Sequence, residues 1–304
     1  MNNLNPLFKR TFRLMFSITC MGAICMPQIA AAQKQAITKV TIHKDKYNRI
    51  FIPVKVDKDT VPLLFATYAK TLRLTPYFMR TRALYPSGQV LTLNDQRGRK
   101  RDRLVFFLPR LDIGNVKFRN EETIVNNAFP DTVATGSTGT LMVYQYNWKI
   151  DNDRNEVSLS KKPFTPEQAF TTIRYKNNTS PRTAVQIGEL TADFILDFGS
   201  GSNIQVNTAS DIGRALISKY KLKPVNTITS NIHSPKMVDT VYEVTVPSLL
   251  LNGVVVKNQK VMLSSASPQN TIGTGFLGNY NVILNNSKKR KIDSEFILEK
   301  RLVD

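Results

Sequence analysis

The chain has two cysteines, two histidines and one tryptophan in 304 residues, and only 23 acidic residues against 42 basic ones. Two cysteines exclude a disulfide-rich scaffold, and two histidines argue against a Cys/His metal centre. Beyond residue 26 no apolar run approaches the roughly 20 residues a membrane-crossing helix needs. Hydrophobic residues make up 41% of the chain, enough to build a buried core and to argue against disorder. At roughly 100–200 residues per domain, this length suggests one large domain or two smaller ones.

The N-terminal segment reads as an export signal. Lys9, Arg10 and Arg13 precede the apolar run Leu14–Met26, and Ala30-Ala31-Ala32 follows it. Positive, apolar and small residues in that order define a secretory leader, here residues 1–32 with cleavage after Ala32. Cys20 and Cys25 both fall inside it, so the mature chain is expected to contain no cysteine. Neither sits in a lipoprotein setting. The expected location is the periplasm or the exterior. Removing the leader lowers the formal charge from +19 to +16. The basic residues are spread along the chain without a nucleic-acid-binding motif, so no nucleic-acid partner is expected.

The body is mostly β. Segments such as Ala36–Ile42, Ile50–Val56, Leu104–Leu108, Asn147–Leu159, Val241–Val246 and Val254–Leu263 are rich in Val, Ile, Leu, Phe and Thr. Several alternate apolar with polar residues, as half-buried strands do. The best helical window is Thr208–Lys219, opened by Ser210 or Asp211 as a cap. The pattern is also written twice. Val54–Ala66 matches Val185–Asp197 at an offset of 131 residues. Thr132–Gly139 lies against Thr271–Gly278, and the strand–turn–strand pattern of Trp148–Leu159 against Asn281–Ile292. The seam falls near Lys161–Tyr175. The expected organisation is a first lobe over 33–162 and a second over 170–304.

The sharpest local feature is Phe194-Ile-Leu-Asp197-Phe198-Gly199-Ser200-Gly201-Ser202. An apolar strand delivers a carboxylate to a Gly/Ser turn, where small residues let backbone N–H groups approach it. A simple Asp-Gly turn between strands satisfies the same pattern. The stretch also contains Asp-Phe-Gly, but no Gly-rich loop, strand Lys or His-Arg-Asp accompanies it as a kinase requires. No Gly-Lys-Ser/Thr follows the other glycines, which excludes a phosphate loop. His43 and His233 read as surface or loop residues, and Trp148, Tyr144 and Tyr146 as core or lobe-interface residues.

The segment resembles the aspartic proteases of the pepsin and retropepsin superfamily, in which a hydrophobic strand ends in Asp-Thr/Ser-Gly. Phe276-Leu277-Gly278 resembles the second family element, a strand threading beneath the active-site loop. The resemblance implies two similar β-barrel lobes from an internal duplication, with a cleft for an extended peptide. It implies Asp197 as the surviving catalytic acid and no cofactor. Gly199, Ser200 and Thr67 would border the substrate. It also implies a flap within Leu91–Leu108, whose Arg97, Arg99 and Arg101 would favour an acidic peptide by long-range attraction.

Two positions depart from the family. Phe198 replaces a hydroxyl residue, and Ala66 stands where the first lobe should carry its Asp, with Thr67 in the middle position and Tyr68 where Gly should be. The family mechanism needs two carboxylates sharing one proton, and Ala66 supplies neither charge nor proton. Asp57, Asp59 and Asp131 offer no obvious substitute. Three functions follow: a pseudo-protease that binds peptide or protein segments as a monomer; an active aspartic endopeptidase with an unidentified or intermolecular second acid; or a structural cell-envelope interaction module.

Overall fold

A computed structural model describes residues 37–82, 84–94, 100–125, 134–176, 179–231, 234–287 and 293–302. The leader, both cysteines, Arg97, Arg99, Asp131 and His233 lie outside the described residues.

The first half contains β1 (Thr38–Thr41), β2 (His43–Lys44), β3 (Ile50–Val56), β4 (Asp59–Leu64), β5 (Leu72–Leu74), helix α1 (Pro76–Arg80), β6 (Tyr85–Asn94), β7 (Lys100–Ile113), β8 (Val116–Val125), β9 (Gly136–Ser137), α2 (Thr140–Val143), β10 (Asn147–Asp151) and β11 (Glu156–Ser160). The second half contains β12 (Ala169–Tyr175), β13 (Arg182–Ile187), β14 (Leu190–Leu196), β15 (Ile204–Asn207), α3 (Asp211–Lys219), β16 (Val225–Asn231), β17 (Ser234–Leu251), β18 (Val254–Ser264), β19 (Thr271–Ile272), α4 (Thr274–Leu277), β20 (Tyr280–Asn285) and β21 (Ser294–Lys300).

Each half closes a six-stranded barrel. In the first, β3-β4-β9-β5-β8-β7 runs round to β3 through the pair Lys55–Asp112. In the second, β13-β14-β19-β15-β18-β17 returns to β13 through Val185–Leu251 and Gln186–Leu250. The duplication read at an offset of 131 is present in the hydrogen-bond register. Phe51 pairs with Leu64 as Arg182 pairs with Ile195. The intervening turns match too: Asp57 has φ 55° and Gly188 φ 63°. This left-handed conformation suits glycine and is tolerated by Asp.

A third sheet, β1-β11-β10-β20-β21-β12, joins the lobes. At its centre β10 pairs antiparallel with β20, placing Trp148 opposite Leu284 and Ile150 opposite Val282. Strands covered on both faces are apolar nearly throughout, and β20 is buried along Asn281–Asn285. Trp148 is fully buried. Its indole N–H donates to the Val143 carbonyl at 2.7 Å, and its ring lies 5.1 Å from Phe65. It is a lobe-junction residue, as the sequence suggests.

Helix α3 starts where expected, with the Ser210 hydroxyl accepting from the Gly213 amide at 3.1 Å. The hairpin expected within Leu91–Leu108 exists as β6 and β7, and the second lobe repeats it as β16 and β17.

Three expectations require correction. Asn281–Ile292 does not hold a complete hairpin, because the returning strand β21 starts at Ser294. Phe276-Leu277 is not the threading strand but lies in α4; that strand is Thr271-Ile272, followed by Gly273. Its first-lobe counterpart is Ser137-Thr138-Gly139 before α2, so matching Thr132–Gly139 to Thr271–Gly278 misaligns the repeat. The physical constraint is backbone proximity. A Cβ on Gly139 would lie 2.4 Å from the Thr71 carbonyl carbon, and one on Gly273 would lie 2.4 Å from the Ser202 carbonyl oxygen.

Candidate functional site

Strands β4 and β14 each end in a loop, 66–71 and 197–203. Each loop is held from behind by its own barrel. In the first lobe the Thr140 amide donates to the Ala69 carbonyl at 2.7 Å, and in the second the Thr274 amide donates to the Ser200 carbonyl at 2.8 Å. Equivalent contacts from the first residues of α2 and α4, just after the two threading strands, thus set both loops.

The loops meet across the lobe boundary. A Cβ on Gly199 would fall 3.0 Å from the Ala66 Cβ and 3.1 Å from an Asp197 carboxylate oxygen. A side chain there would be tightly crowded by both groups. The Thr67 hydroxyl donates to the Leu196 carbonyl at 2.7 Å and accepts from the Phe198 amide at 3.3 Å. One side chain of the first lobe thereby holds the backbone on both sides of Asp197. The reciprocal contact cannot form, because Phe198 has no hydroxyl. Its ring is buried and lies 5.3 Å from Phe65 and 6.0 Å from Phe296. Where the first lobe has a polar brace, the second has aromatic packing.

Asp197 is buried. Its carboxylate accepts from the Gly199 amide at 2.8 Å and, more weakly, from the Thr67 amide at 3.4 Å. Burial raises its pKa above the ordinary 3.8, because desolvation disfavours the charged form. The Gly199 and Thr67 amides, the Arg73 charge and the Tyr68 amide oppose that rise without cancelling it. Among the described residues no second carboxylate hydrogen-bonds Asp197, and none is among the main groups that shift it. The residue at the first-lobe position is Ala66, as read from the sequence, so this loop pair holds one acid beside a methyl group. The described residues also contain no cluster of three or more His, Cys, Asp or Glu suited to a metal ion.

The predicted substrate-bordering residues divide. Thr67, Gly199 and Ser200 belong to the paired loops, where the Ser200 and Ser202 hydroxyls are 2.7 Å apart. Arg101 lies on β7 opposite Leu93, within the first hairpin, and is not among the groups that hydrogen-bond Asp197. Asp57 lies in the β3–β4 turn, and Asp59 opens β4 opposite Val56 and is ion-paired with Arg82. A hollow of about 340 Å³ lined by Pro76, Met79, Leu84, Phe106 and Val125 lies beside α1 and includes none of the loop residues.

Two contributors have no signal in the sequence. Tyr47, in the β2–β3 turn, would meet a Cβ on Gly201 at 2.7 Å, and its carbonyl accepts from the Thr274 hydroxyl at 2.8 Å. A first-lobe turn therefore braces the second-lobe loop. Arg73, on β5, places its charge within range of Asp197. Neither residue type nor spacing distinguishes either one from a surface Tyr or a strand Arg.

No protein-family model matches the chain, and no curated protein matches it.

Proposed function

We propose that this is an exported, two-lobed, aspartic-protease-like protein that binds extended peptide or protein segments between its lobes without hydrolysing them. One observation carries the reading: Ala66 stands beside Asp197 where a two-carboxylate mechanism needs its second acid. A lone buried carboxyl can accept a hydrogen bond, or donate one when it carries its proton. It cannot divide acid and base roles with a partner that has no titratable group. The two-barrel architecture supports the binding half of the proposal, since extended segments bind by adding backbone hydrogen bonds to an exposed sheet edge.

The binding test uses a fluorescein-labelled, chemically unfolded protein as probe. Saturable binding to the wild type that persists in Asp197→Asn supports the proposal. A wild type that binds no extended chain rejects it and leaves the fold with a structural role.

A further inference from the structure

The first lobe has no acid at its loop but brings a cation nearby. Leu64, Ser137 and Arg73 form one row across β4, β9 and β5. Leu64 lies two residues before Ala66, so the row runs along the base of the first-lobe loop. The Arg73 side chain is half-buried. Its Nε is buried without a hydrogen-bond partner, and among the described residues its guanidinium forms no hydrogen bond or ion pair. Its charge acts on Asp197 and on the Tyr68 hydroxyl without bonding to either. A buried N–H donor left without a partner is costly, and proteins seldom leave such a group unsatisfied. The equivalent second-lobe row, Ile195–Thr271–Gln205, ends in a neutral residue. Where a dyad places like charges on the two lobes, this protein places a carboxyl on one and a guanidinium on the other.

We propose that Arg73 anchors a carboxylate of the bound segment beside the paired loops. A guanidinium presents a planar fork of N–H donors that matches a carboxylate in two parallel bonds, which no neutral group does. The ligand class is therefore an extended segment bearing an acidic side chain or a free C-terminus next to the paired loops. The high positive charge of the chain steers such a ligand in the same direction. This inference rests on the peptide-binding reading and adds the chemistry of the ligand.

The test uses three fluorophore-labelled octapeptides of alternating Val and Thr. The first is capped at both ends with a central Glu, the second is its Gln twin, and the third is the Gln twin with a free C-terminal carboxylate. The Glu peptide or the free-carboxylate peptide is expected to bind at least about tenfold more tightly than the capped Gln peptide, as a charge-assisted bidentate contact provides. Which of the two gains identifies the source of the carboxylate. In Arg73→Gln the preference disappears while the Gln peptide still binds. Arg73→Lys, which keeps the charge and loses the fork, retains part of it and serves if the Gln variant fails to fold. Equal binding of all three peptides to the wild type, or a preference that survives undiminished in Arg73→Gln or Arg73→Lys, overturns the inference and leaves peptide binding standing. If no peptide binds, both fall.

Discussion

Thr67 of the first lobe and Asp197 of the second are tied through backbone as well as side chain. The Thr67 amide points at the Asp197 carboxylate at 3.4 Å, and the Thr67 hydroxyl holds the carbonyl of the preceding Leu196 at 2.7 Å. The lobe that lacks the acid still positions the acid of the other.

That relationship makes Thr67 a stability determinant. Thr67→Val keeps the shape but removes the donor to Leu196 and the acceptor for the Phe198 amide. Leaving buried backbone groups unpaired costs about 1–3 kcal/mol. Urea denaturation should show a loss in that range, with Thr67→Ser much closer to wild type. A Val variant as stable as wild type would show that the interlobe contact contributes nothing.

The Asp197 carboxyl predicts a pH signature. Its folded pKa lies above the ordinary 3.8, so the native state holds the proton more tightly than the unfolded chain does. Below about pH 3 both states are largely protonated and the group adds no pH dependence to stability. As pH rises from there the unfolded chain releases its proton first, and stability falls until the native carboxyl also ionises. Asp197→Asn does not titrate. Denaturation midpoints across this range should therefore shift in favour of the Asn variant as pH rises, and a difference that is flat or of opposite sign would refute the assignment.

Ala66→Asp would place a second carboxyl beside the first. Two adjacent carboxylates resist joint ionisation, and the pair would titrate in two separated steps. The variant should lose stability against wild type at neutral pH and recover it in acid. A deficit independent of pH would mean that the introduced side chain turns away from Asp197.

The strand core was readable from the sequence, because Ile50–Val56 and Val185–Leu196 carry alternating or continuous apolar patterns that burial demands. The duplication was readable at Val54–Ala66 for the same reason: both copies fill the same barrel positions. The match of Thr132–Gly139 to Thr271–Gly278 is misaligned because Thr-Gly recurs in both halves, whereas the constraint is steric and appears only once the loops are stacked on Gly139 and Gly273. Asp197 announced itself by ending an apolar strand at a glycine turn. Tyr47 and Arg73 did not, since each reaches the site through contacts between segments more than 100 residues apart in sequence.

Gly273 supplies a direct check of the corrected register. A Cβ there would lie 2.4 Å from the Ser202 carbonyl oxygen and 2.5 Å from that of Ser200, both backbone atoms with little room to give. Gly273→Ala should destabilise by about 1–3 kcal/mol, the usual range for overpacking, measured by thermal or urea unfolding. A neutral substitution would place the threading strand elsewhere.

The most direct test of the central claim is a cleavage assay read by mass spectrometry. Wild-type protein and Asp197→Asn are incubated with the unfolded probe protein from acid to neutral pH. The account predicts saturable binding by both and no new termini with either. Cleavage by the wild type that stops in Asp197→Asn would contradict it and show that a second acid reaches Asp197 by another route.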